Sequence, residues 1–170
     1  MPRVAPEAVL ATPMGALRIA TTHLEYYSDL QRRAQARALR HLHDEGCQRA
    51  AAPLPASSDA NATFRPTPQP TAALLTGDFN FPPDDPSYQE ILRPLAGAGP
   101  AYLDAWRLVH GHRPHDPTFC VHDTRYSKTP YCCDFVFASA DIAQRVRAIE
   151  VDTAARESDH QPVLLDFDDR

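Results

Sequence analysis

Apolar residues recur along this chain in short blocks punctuated by Gly and Pro rather than in long helical stripes. Residues 6–12 and 16–24 each read as a strand, and Pro13-Met14-Gly15 between them predicts a β-hairpin. Ala72-Ala73-Leu74-Leu75 stops at Thr76-Gly77, ahead of Asp78-Phe79-Asn80 and two prolines, which is the pattern of a buried strand and its end. Side chains alternate along an extended chain, so Asp78 and Asn80 are expected on one face with Phe79 turned into the core. Further strands are expected over 131–137, 145–152 and 162–167.

Helical periodicity is clearest over 29–45. Ser28 with Gln31 three residues on forms a capping box, and Gly46 stands just past the expected end. Leu30, Ala34, Ala38 and Leu42 recur every fourth residue and predict the buried face, leaving Arg32, Arg33, Arg37 and Arg40 as a solvated surface. Asp85 and Pro86 are placed to cap and open a helix over 86–92 that stops near Pro94. Residues 101–108 predict a further short helix. Residues 51–70, rich in Pro, Ala and Ser, read as a loop, because the segments on either side look like parts of one sheet system.

Composition sets the frame. The 170 residues suit one domain with a real core, and 17 Pro against 6 Gly favour many loop breaks. A net charge of −5 argues against a strongly basic nucleic-acid-binding surface, although a cation held in a site would still let such a substrate approach. The start has no long apolar core of a signal peptide, and no run of about 18 apolar residues predicts a membrane span. Cys47, Cys120, Cys132 and Cys133 form no CxxC pair and read as reduced structural thiols, which places the chain in the cytoplasm. Nothing in the sequence points to an obligate protein partner.

Four polar features then stand at strand edges: His23, Asp78 with Asn80, Asp134, and Asp159-His160. Each alone has an ordinary explanation, since Asp and Asn are common turn residues. Asp134 is the exception, a carboxylate in the apolar run Tyr131 to Phe137 that is costly to bury without a partner. His160 is the natural candidate. Together the set offers carboxylates for a hard divalent cation and a histidine that a carboxylate can orient for acid–base work. His110, His112, His115 and His122 lie across a Pro/Gly loop without the regular spacing of zinc-finger ligands. Tyr26 and Tyr27 can stack on a base or ring, but packing where the helix begins is the commoner use of such residues.

THLE at 22–25, GDFN at 77–80, DFVF at 134–137 and SDH at 158–160, in that order, resemble the endonuclease/exonuclease/phosphatase superfamily of DNase I-like metal-dependent phosphohydrolases. DAWR at 104–107 with HDPTF at 115–119 is similar to that family's connecting region, so the resemblance runs from about Val9 to Phe167. It implies an α/β fold of two packed, mainly antiparallel β-sheets flanked by helices. It also implies Mg²⁺ or Mn²⁺ as cofactor, with Asp78 and Asp159 as metal ligands. In the same reading Asp78 activates or orients the attacking water and Asn80 holds the water or the phosphate. His23 and His160 contact phosphate, the latter oriented by Asp134. The substrate would be a phosphoester of nucleic acid, a phospholipid headgroup or a small molecule. The family's Asn- and Glu-bearing strands precede THLE, whereas only residues 1–21 precede it here. Residues 1–170 are therefore expected to form the C-terminal portion of one such domain, short of a principal metal ligand, with an open sheet edge or an uncovered apolar face. The alternative is a catalytically inactive remnant or binding module of the same fold.

Overall fold

The computed structural model describes residues 3–53 and 69–168, so most of the loop expected over 51–70 lies outside the described residues. The hairpin forms: β1 (Glu7–Thr12) pairs antiparallel with β2 (Gly15–His23). From β2 the chain enters α1 (Asp29–Ala51) and returns as β3 (Ala73–Asp78), parallel to β2. A parallel pair needs such a crossover, and the long helix provides it. After α2 (Pro86–Leu92) come β4 (Tyr102–Asp104), α3 (Ala105–His110) and β5 (Asp134–Ser139). β5 lies between β3 and β4 and is antiparallel to both, which completes a five-stranded sheet ordered β1-β2-β3-β5-β4. β6 (Val146–Val151) and β7 (Val163–Phe167) form a second, antiparallel pair.

Both faces of the larger sheet are apolar because its central strands alternate without a polar side. Ala73, Leu75, Phe135 and Phe137 share one face and pack on Ala36 and Leu39 of α1 and on Tyr88 and Ile91 of α2. Leu17, Leu74, Val136 and Ala138 share the other, with Trp106 of α3 and Ile149 of β6, and Val163, Leu165 and Phe167 of β7 pack against them. The expected class, a mixed α/β fold with two packed sheets and helices outside, is the one observed. No helix among the described residues is long and apolar enough to cross a membrane.

Two helical expectations need correction. α1 begins at the Ser28 cap as predicted, since the Ser28 hydroxyl accepts from the Gln31 amide, but it runs through Gly46 to Ala51. It is also rotated. Leu30 is 82% and Leu42 50% exposed, while Arg32, Ala36, Leu39, His43 and Cys47 are buried. The polar members tolerate burial because each finds partners. Arg32 donates to the carbonyls of Glu25 and Tyr26, and His43 bonds to Arg18 and to the Pro100 carbonyl. Gly46 is inside the helix because the Arg18 guanidinium occupies the space beside it. A Cβ there would lie 1.3 Å from Arg18 Nη1. The second correction is at 101–108, which is β4 followed by α3 rather than one helix. Asp104 ends the strand and caps the helix, accepting from the Trp106 amide.

Candidate active site

Strand register assembles the site. His23 stands opposite Asp78 in the β2–β3 pair, and Asp78 stands opposite Asp134 in the β3–β5 pair. Three neighbouring strands thus deliver polar side chains in one row, on the face that also carries Ile19, Leu74 and Val136. The row lies at the end of the core between the two sheets. Gly77 makes the turn out of β3 possible. Its φ is +138, and a Cβ would strike the Thr22 carbonyl oxygen at 2.0 Å. Phe79 is then buried, as expected, while Asn80 leaves the strand at φ +53, a left-handed position that asparagine tolerates. Asn80 therefore does not simply repeat the face of Asp78. Its amide N–H donates to Asp78 Oδ1 at 2.8 Å and its side-chain Nδ2 to the Leu24 carbonyl at 2.8 Å.

His160 comes to this row from the far end of the chain. Residues 118–120 act as a stitch: Phe119 bridges to Tyr131 on one side and to His160 on the other. The Gln161 amide donates to the Thr118 carbonyl at 2.7 Å, and the Cys120 amide to the Asp159 carbonyl at 2.9 Å. His160 Nδ1 is thereby 2.9 Å from Asp134 Oδ2, and its Nε2 is 3.7 Å from Asp78 Oδ2. With Nδ1–H donating to the carboxylate, Nε2 is the nitrogen that faces the open site. His23 Nε2 approaches the same Asp78 oxygen at 3.4 Å from the other side, with its side chain 59% exposed. Two imidazoles flank one carboxylate.

The electrostatics follow from this crowding. Burial, and then the Asp134 charge, raise the Asp78 pKa, although the Asn80 amide and the two histidines pull it back. The hydrogen bond to Asp134 raises the His160 pKa above the ordinary histidine value against partial burial. Ligand atoms of Asp78, Cys133, Asp134 and His160 lie within 4.8 Å of one another. Two carboxylates at that separation repel each other and offer hard oxygen donors, which fits a divalent cation. Burial, and then the adjacent carboxylates, push the Cys133 thiol pKa up, and sulfur is a poor match for a hard cation that prefers oxygen. The Asp159 carboxylate is not in that group; its side chain accepts from the Ser158 hydroxyl at 3.4 Å.

Residue-by-residue reading missed Thr118, although HDPTF carried part of the resemblance. Its buried hydroxyl donates to Asp134 Oδ2 at 2.6 Å and accepts the amides of Cys133 and Asp134, so it fixes the carboxylate that holds His160. Also unread was a buried strut in which Asp104 accepts from the Tyr88 hydroxyl at 2.5 Å and pairs with His115 Nε2 at 2.7 Å. Two of the other loop histidines have partners of their own. His110 bonds to the Ile149 carbonyl and His122 to the Thr153 carbonyl. Tyr26 and Tyr27 do not pack where α1 begins; they are 52% and 85% exposed.

Comparison with known proteins agrees with this geometry. The model of the endonuclease/exonuclease/phosphatase family matches residues 9–160. No curated protein matches the chain by sequence. Among solved structures, the chain is similar to the endonuclease/exonuclease/phosphatase of Bacteroides vulgatus at 20% identity and a TM-score of 0.67, covering 98% of this chain and 55% of that one. It is similar to the mannosyl-6-phosphatase of Bacteroides thetaiotaomicron at 20% identity and a TM-score of 0.57, covering 89% and 52%. It also resembles the 3′ phosphatase NExo of Neisseria, solved with product DNA hairpin, at 21% identity and a TM-score of 0.62, covering 96% and 64%. The chain thus spans a little over half the length of the first two. At these identities the likeness is one of fold.

Proposed function

The chain belongs to the endonuclease/exonuclease/phosphatase family, and from that premise we propose that it carries a site for divalent-metal-dependent hydrolysis of a phosphodiester or phosphomonoester. The observation that carries the proposal is the convergence of His23, Asp78, Asp134 and His160 at adjoining strand ends. Asp78, made more basic by burial and by Asp134, orients the attacking water and takes its proton. Asn80 shapes the turn that aims Asp78 and presents its amide beside it. His160, held through Nδ1 by Asp134, turns Nε2 toward the scissile phosphate, and His23 contacts the phosphate from the opposite side. Water oxygen bonds to phosphorus as the ester oxygen leaves. A bound Mg²⁺ or Mn²⁺ would be held by Asp78 and Asp134, the carboxylates of that cluster, with Asp159, the other expected ligand, outside it, and would neutralise phosphate charge and stabilise the leaving oxygen. Substrates of this class include nucleic acid, phospholipid headgroups and small phosphoesters. The four buried free cysteines support a reducing compartment, the cytoplasm.

The test is hydrolysis of bis(p-nitrophenyl) phosphate with Mg²⁺ or Mn²⁺ and with EDTA. Turnover should need the metal, and Asp78→Ala and His160→Ala should each lower it by about a hundredfold or more. Full activity in either variant sinks the assignment. A second reading, a phosphate-binding module without turnover, is favoured by one observation: among the described residues the metal-compatible group has two carboxylates and no glutamate. Metal-dependent phosphate binding with no hydrolysis would select it.

A further inference from the structure

The three exposed aromatics among the described residues, Tyr26, Tyr27 and Tyr126, all belong to segments bordering the site, and none serves the core. Of the six tyrosines in the sequence, Tyr88 and Tyr102 are buried, Tyr131 is half-buried, and Tyr26, Tyr27 and Tyr126 are exposed. The rings are connected. Tyr126, 67% exposed, stacks on Phe119 at 6.4 Å with 24° between planes, and Phe119 lies 4.6 Å from the His160 ring. Tyr131 meets Phe119 edge-on at 5.4 Å. On the opposite side, Tyr26 and Tyr27 follow His23 by three and four residues and meet edge-on at 5.1 Å. Aromatic rings therefore stand on both sides of the site, Tyr126, Phe119 and Tyr131 beside His160 and Tyr26 with Tyr27 just after His23, and together they form a rim.

We propose that this rim is a stacking subsite for a planar ring carried beside the scissile phosphate, so that the substrate is a nucleotide-type phosphoester rather than a sugar or polyol phosphate. The proposal rests on the phosphoesterase reading above and narrows its substrate class. An exposed tyrosine face gains by stacking on a base whatever the base's identity, and cations interleaved with such faces suit a phosphate backbone. The same loop carries Arg125, 5.7 Å from the Tyr126 ring, and Lys128, the only lysine in the sequence. Arg125 is paired with Asp123, which leaves Lys128 as the loop's cation to meet phosphate. A choline head would also find tyrosine faces attractive, but positive charge in that loop repels a quaternary ammonium.

The experiment is calorimetric titration in Mg²⁺ with adenosine 5′-monophosphate, ribose 5-phosphate, adenosine and phosphocholine. The nucleotide should bind roughly five- to tenfold tighter than ribose 5-phosphate, the low end for base–aromatic stacking at an exposed site. Tyr126→Ala and Tyr27→Ala should each erode that preference while leaving ribose 5-phosphate affinity and the thermal midpoint unchanged, and Tyr126→Phe should retain it. Equal affinity for the two phosphates, or a preference that survives both alanine variants, overturns the subsite. So does tightest binding to phosphocholine. Tyr126-dependent binding of adenosine, with no contribution from the phosphate, would keep the subsite and overturn the phosphoesterase reading instead.

Discussion

His43 and His160 both sit in polar clusters on the five-stranded sheet, yet their surroundings drive them in opposite directions. His43 lies on the helix-covered face, where Nε2–H donates to the Pro100 carbonyl at 2.7 Å, Nδ1 accepts from Arg18, and the ring stacks on Tyr102 at 4.1 Å. Burial first, and then the Arg18 charge, push its pKa down to about 4. His160 stands partly open at the sheet end, and the Asp134 carboxylate pulls its pKa up. Water access and the sign of the partner decide the outcome, not the residue type. One imidazole is a neutral strut inside the fold; the other is held ready for charge where phosphate would arrive.

The comparison can be broken most forcibly at His43. An unfolded histidine binds its proton near pH 6.5, whereas His43 resists until about pH 4. Between those values the unfolded chain holds more protons, so stability contributed by neutral His43 is present above pH 6.5 and is lost as pH falls toward 4. The loss is at most on the order of 3 kcal/mol. Urea midpoints from pH 7 to 4.5 should fall more steeply for the wild type than for His43→Leu. Parallel slopes would mean that His43 is not held neutral by the fold.

A somewhat smaller effect is expected at Gly46, the helix position against the same cluster. On an exposed helix face, Gly→Ala stabilises by about 1 kcal/mol. Here the new methyl would meet the Arg18 guanidinium, itself buried and tied to His43, so Gly46→Ala should destabilise by about 1–3 kcal/mol. Truncating the neighbour in Arg18→Leu should remove most of that cost, which a double-mutant cycle reads directly. Stabilisation by Gly46→Ala in the wild-type background would show that the Arg18 head group simply moves aside.

These two clusters also mark what sequence could and could not reveal. The polar row at the strand ends was legible because each member interrupts or ends an apolar run, and because Gly77 is demanded by a positive φ and by the Thr22 carbonyl. The buried face of α1 was not legible. Periodicity counts apolar side chains, and this face is built partly from Arg32 and His43. Their partners lie on β2, in the segment after it and at Pro100, so residue types along the helix carry no trace of them. Thr118 hid for a similar reason, since its value lies in three hydrogen bonds to residues 15 and 16 positions away. Burial of Tyr26 and Tyr27 was expected from ordinary usage, and their exposure became visible only once α1 was seen to turn its other side to the sheet.

The smallest expected effect sharpens the comparison from the other histidine. His160 has a raised pKa, so the stability it lends in its charged form is fully present below the unfolded value near pH 6.5 and disappears as pH rises through the folded value. That is the reverse of His43. The group is partly open to solvent, so screening keeps the effect below about 1 kcal/mol. In EDTA, the urea midpoint of the wild type should exceed that of His160→Gln by more at pH 5.5 than at pH 8.5. Asp134→Asn should flatten this pH dependence, since the carboxylate is its largest cause. A gap that widens as pH rises would mean that Asp134 does not hold the imidazole in its charged form, and the contrast between the two histidines would be lost.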